Sequence, residues 1–169
     1  MIGFIGSFVL SFIAYLFLTA NQGEILGLWS QNEIIFAIII SLIVAAISSK
    51  VLFQKNHYSM LNPLRWVIFL VYLIGPFFYA MAKANIDVAY RVITGKINPG
   101  IVKISPDLKT DASITLLANS ITLTPGTLSV DIDEKNNDLY IHWINVTNVK
   151  PAIEDICGTF PKWARRIAE

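Results

Sequence analysis

Lys83, Asp87 and Arg91 stand four residues apart along the chain. That spacing sets three side chains on one helix face and lets the carboxylate pair with either cation. Ionisable groups next to an apolar segment are the usual material of ion and proton paths. The triplet is therefore the first candidate for chemistry, either lining a path or making a polar contact with a neighbouring subunit. At a helix end, snorkelling and interfacial pairing are sufficient to explain it and are the default reading.

The remaining inventory is short. His57 lies beside Lys55 and Tyr58, and His142 beside Trp143 in a strand; neither has the convergent ligands a metal site needs. No G-x-S-x-G, P-loop or G-x-G-x-x-G motif occurs. Cys157 is the single cysteine, which excludes an internal disulfide and places it as packing on an apolar helix face. Asp131 and Asp133 read as a solvated strand face without the pattern of a calcium loop. Thr124-Pro125-Gly126-Thr127 reads as a tight helix-to-strand turn. A phosphate cradle there would rest on Gly126 alone. No catalytic residue, no cofactor and no metal ligand is expected.

The elements that must position these residues divide the chain by polarity. Of 169 residues, 15% are charged, against about 25% in a soluble globule. Five charges fall in residues 1–82 and twenty in 83–169. The net charge of +1 excludes a strongly basic nucleic-acid binder. Residues 1–95 are expected to form a membrane domain with three spans, at about 1–20, 34–53 and 63–82. Ser30 and Glu33 form a capping box before the second span. Asn62 caps the third and Pro63 suits its first position. Gly75-Pro76 interrupts that span, where a missing N–H kinks the helix. The helix then extends to about residue 95, ended by Gly95. No span carries a central carboxylate, which argues against a carrier working alone. Lysine and arginine counts on the two sides tie, so charge leaves the orientation open.

Residues 99–169 are expected to form a small α+β domain. Ile101–Ser105 is a strand ended by Pro106. Thr110 or Asp111 caps a helix carrying Ile114, Leu117, Ala118 and Ile121 at helical spacing. From Thr127 the period becomes two, placing Leu128, Val130 and Ile132 on the buried face. Leu139–Val146 is the partner strand across a polar turn. A last helix follows Pro151, with Pro161 ending or kinking it. The order β-α-β-β-α predicts a truncated ferredoxin-like sandwich.

Four stretches carry a family resemblance: Ala84-Asn85-Ile86-Asp87-Val88, Pro99-Gly100-Ile101, Ile114–Leu128 running through Leu123-Thr124-Pro125-Gly126-Thr127, and Leu139-Tyr140-Ile141-His142. Together they resemble the MnhE/MrpE family of subunits from Mrp-type multisubunit Na+/H+ antiporters, including the equivalent component of archaeal membrane-bound hydrogenase complexes. The resemblance runs from about Lys83 to Val146. It implies a non-catalytic structural or assembly role in a monovalent cation/proton antiporter module. It also implies other membrane subunits as partners, a multi-pass place in the cytoplasmic membrane, and a cytoplasmic C-terminal domain. Three alternatives stand beside it: the same role in a redox-driven hydrogenase-type complex, direct participation in an ion path through Lys83, Asp87 and Arg91, and a stand-alone membrane-anchored binding domain.

Overall fold

A computed structural model describes residues 2–21, 23–51 and 62–169. The expected end of the second span at residue 53 and the loop holding Lys55, His57 and Tyr58 lie outside them. The chain forms two compact units, Met1–Leu61 and Asn62–Glu169. Composition placed a boundary near residues 95–99, whereas compactness divides the chain before the third apolar helix.

In the first unit, α1 (Ile2–Thr19) packs against α2 (Gln31–Val51). Small residues make the contact: Ser7 on α1 and Ala37, Ser41 and Ala45 on α2 are buried, letting the two backbones approach closely. The capping box forms as the sequence indicates. Ser30 N–H donates to Glu33 Oε2 at 2.6 Å and Glu33 N–H to Ser30 Oγ at 3.3 Å. The other faces of α2 are exposed isoleucine, leucine and phenylalanine. Gln31–Lys50 and Pro63–Thr94 are the two helical stretches long and apolar enough to cross a membrane among the described residues; α1 is apolar but shorter.

The second unit opens with α3 (Pro63–Tyr72), whose N-cap Asn62 accepts from Leu64 N–H at 3.0 Å. The proline expected to kink this helix sits in a π-helical turn, Leu73–Phe77. One extra residue in the turn accommodates the missing N–H and the ring without breaking the rod. Helix α4 (Phe78–Thr94) continues to Gly95, whose φ of 67° and N–H to Arg91 O close the helix.

Strands β1 (Gly100–Ile104), β2 (Thr127–Asp133) and β3 (Asp138–Trp143) form a sheet in the order β1-β3-β2, with both pairings antiparallel. Helix α5 (Asp111–Leu123) links β1 to β2 and packs on β2. Thr110 and Ser113 cap it reciprocally. The core lies between sheet and helix, where Leu117, Ile121, Leu139 and Ile141 are essentially inaccessible.

Two details depart from the sequence reading. Leu128 and Val130 are about half exposed, at 47% and 50%, while Ser129 turns inward and donates to Ala118 O of α5 at 3.0 Å. A bulge between Ser129 and Asp131 inserts one residue. That flips the parity, so only Ile132 of the three apolar residues pairs with core Leu139. The last helix is also two helices, α6 (Ile153–Cys157) and α7 (Phe160–Ala168). The break is at Gly158 (φ 50°), and Pro161 lies in the first turn of α7 rather than at an end. There its absent N–H costs no helical hydrogen bond.

Candidate functional site

The two motifs singled out by sequence meet in one cleft of about 560 Å³. One wall is α4, with Lys83, Asp87 and Arg91. The floor includes Thr124, Pro125, Gly126 and Thr127, and the far wall is α6 with Glu154 and Asp155. Leu123, the first residue of the turn motif, stays outside and is largely exposed.

Within the α4 triplet the pairing is specific. Arg91 grips Asp87 through both oxygens, Nε to Oδ2 at 2.7 Å and Nη2 to Oδ1 at 3.0 Å, and Nη1 donates to Lys96 O at 3.1 Å. Both carboxylate oxygens thus face one guanidinium, and the same group ties down the backbone just past the helix end. Lys83 lines the same cleft.

The turn is built to finish α5. Thr124 Oγ1 donates to Ile121 O at 2.8 Å, and Thr127 Oγ1 reaches the same carbonyl at 2.7 Å. Carbonyls that the helix end leaves unpaired are satisfied by hydroxyls. Thr127 N–H closes the turn onto Thr124 O at 3.4 Å. Gly126 has φ 88°, the value a Pro-Gly turn of this kind demands at its third position. A Cβ there would lie 2.9 Å from Ile144 Cγ2 and 3.2 Å from Val88 Cγ2. At the motif the turn after α5, the residue just past β3 and α4 come together. Its hydroxyls and the Thr127 N–H serve the fold, which leaves little of a phosphate cradle.

Cys157 borders the cleft but is buried, and its thiol donates to Ile153 O at 3.1 Å. Burial, with the Glu154 carboxylate adding to it, pushes the thiol up to about 12, which favours its protonated form. His142 is a β3 residue paired with Ile101 and Leu128. Among the described residues no three His, Cys, Asp or Glu side chains gather where they would hold a metal ion. Asp131 Oδ1 accepts from Ile132 N–H, and Asp133 organises the β2–β3 turn by accepting from Lys135 N–H and Asn136 Nδ2.

A model of the MNHE family, described as Na+/H+ ion antiporter subunit, matches residues 8–167. The chain belongs to this family. The E1-type Na(+)/H(+) antiporter subunit of Staphylococcus haemolyticus is 32% identical over 165 residues, covering 96% of this chain and 95% of that protein. The E-type Na(+)/H(+) antiporter subunit of Alkalihalophilus pseudofirmus is 46% identical over 99 residues, 57% of this chain and 61% of that protein. Among solved structures, a chain of the membrane-bound sulfane sulfur reductase, an archaeal respiratory membrane complex, aligns over 99% of both chains with TM-score 0.77 and 36% identity.

Sequence reasoning missed several residues that hold this MNHE fold together. Arg65, in the first turn of α3, donates from Nη1 to Ile167 O at 2.9 Å and so satisfies the end of α7. Tyr72 is 2% exposed, and its hydroxyl donates to Ser120 Oγ at 2.6 Å. Its ring meets Phe160 edge-on and lies near Phe77 and Trp163. A tyrosine inside an apolar helix was the available signal, since a buried hydroxyl needs a partner. Glu154 and Asp155 follow Pro151-Ala152, the acidic first turn of a helix, and gave no hint of facing Lys83 and Arg91 across a cleft.

Proposed function

We propose that this chain is a non-catalytic component of a multisubunit membrane cation/proton antiporter module, acting by holding neighbouring membrane subunits together. The observation that carries the reading is the closed Asp87–Arg91 pair. A carboxylate gripped through both oxygens by a guanidinium, at the end of a helix, is arranged to fix geometry rather than to load and release a proton. The module's role in Na+/H+ exchange comes from the family and from the antiporter relatives. The full-length likeness to a chain of a respiratory complex supports a second host, a redox-driven assembly of the hydrogenase type. We place the C-terminal domain on the cytoplasmic side, and the β1-α5-β2-β3 order, with β3 between two strands of common direction, supports the truncated ferredoxin-like reading.

Asp87→Asn separates the structural role from an ion path. An exposed i,i+4 pair contributes only about 0.3–0.5 kcal/mol to the fold, so the chain itself stays folded. The expected result is reduced recovery of partner subunits on purification in mild detergent. Full recovery with exchange abolished would instead put Lys83, Asp87 and Arg91 in the ion path.

A further inference from the structure

Helix α3, the π turn and α4 form one rod of 32 residues, about 48 Å at 1.5 Å per residue. The C-terminal domain packs on α3 and touches the rod at points spread from Arg65 to Val88. Arg65 bonds Ile167 O at one end, Tyr72 bonds Ser120, Phe77 lies against Phe160, and Val88 sits over Gly126 near the other end. From Arg65 to Val88 is about 35 Å along the helix axis, more than the roughly 30 Å of bilayer hydrocarbon.

A helix held to the domain at points that far apart cannot cross a bilayer without taking the domain in with it. The domain carries exposed Lys103, Asp131, Lys162, Arg165 and Arg166. It also has two strands, β1 and β2, each paired on one side only. Charged side chains and open sheet edges are excluded from hydrocarbon. The opposite face of the rod is nonetheless mostly apolar, with Lys83 and Asn85 exposed at its edges. Val67, Val71, Ile74, Ile86 and Ile93 are 55–85% exposed, and Trp66, Tyr79 and Tyr90 are exposed beside them, the aromatic types that settle at headgroup depth.

We propose that Pro63–Thr94 lies in the plane of the membrane surface, its apolar face in the lipid and the C-terminal domain riding on its other face in water. The occupant of the face is the bilayer. Helix α2, in the same chain, is long and apolar enough to span, which brings the chain that carries α3 to a membrane. Asp87 and Arg91 then sit on the water-side flank, where interfacial helices carry their charges, and Lys83, at the edge of the apolar stripe, snorkels to the same side. High hydropathy makes the segment resemble a span because the domain replaces the polar face such helices normally show. The proposal needs a membrane location but neither host complex in particular.

The test uses the chain assembled with its complex in sealed vesicles. Asn62→Cys and Lys96→Cys mark the two ends of the rod for a membrane-impermeant maleimide, with the unsubstituted chain measuring labelling of Cys157. Both ends are expected to label from the same side; labelling from opposite sides overturns the proposal. Nitroxides at Val67→Cys, Val71→Cys, Ile74→Cys, Ile86→Cys and Ile93→Cys give an independent reading. An in-plane helix holds them at one depth, about 5–10 Å. A depth maximum near the middle of the rod means a span, and shielding from lipid-dissolved oxygen means another protein covers the face; either overturns it.

Discussion

Gly126 is the residue on which three elements depend most directly. Its φ of 88° is strained for any side chain, and a methyl group would press on Ile144 and Val88 together. Gly126→Ala is therefore expected to destabilise the second unit by about 1–3 kcal/mol, measured as a fall in the unfolding midpoint in detergent. Because Val88 belongs to α4, partner recovery should fall with it. A variant as stable as the parent would mean that α4 gives way easily and that the turn is not what holds it. The sequence showed that Pro-Gly makes a turn. It could not show what the glycine hydrogen faces, because that depends on residues 18 and 38 positions away in opposite directions.

At the scale of elements, β1 is tied to β3 by more than its ladder. Lys103 on β1 pairs with Asp138 on β3 at 2.7 Å, and Ser105 donates to the same carboxylate. The Lys103 hydrogen bond, then that of Ser105, holds the Asp138 carboxyl below its ordinary value, and the same partnership raises Lys103. A depressed carboxylate contributes stability above its unfolded pKa, near 4, and loses it as pH falls through the folded value. Asp138→Asn should therefore lower the unfolding midpoint at neutral pH, with the gap to the parent closing as pH drops below about 4. A gap that is constant with pH would mean packing, not charge, is lost. Local signals were legible here: both N-caps, the Gly95 stop and helix α5 rest on neighbours within four residues. The β2 bulge was not, because alternation in Leu128, Val130 and Ile132 carries no mark of an inserted residue. Nor was the independence of α7, since Pro161 after an apolar run reads as a stop unless Gly158 is seen to have stopped the helix already.

At the scale of the whole molecule, the family is established and the host complex is the open variable. Purification through a C-terminal tag, with mass spectrometry of what accompanies the chain, is expected to return antiporter-like membrane subunits. Nickel or iron–sulfur subunits among them would assign the redox-driven host, and a folded chain recovered alone would leave only an anchored domain. The π turn at Leu73–Phe77 has its own consequence at this scale. One residue advances an α-helix by about 100°, so the turn works as a phase shifter between two halves of a single rod. It is why Tyr72 and Phe77, five apart, meet the same aromatic cluster. Remove one residue there and the rod would stay helical, yet α4 would rotate by more than a quarter circle. The salt-bridged flank would leave the cleft, and Ala84 and Val88 would no longer face the domain. The registration of two surfaces along some 48 Å of helix thus hangs on a single supernumerary residue.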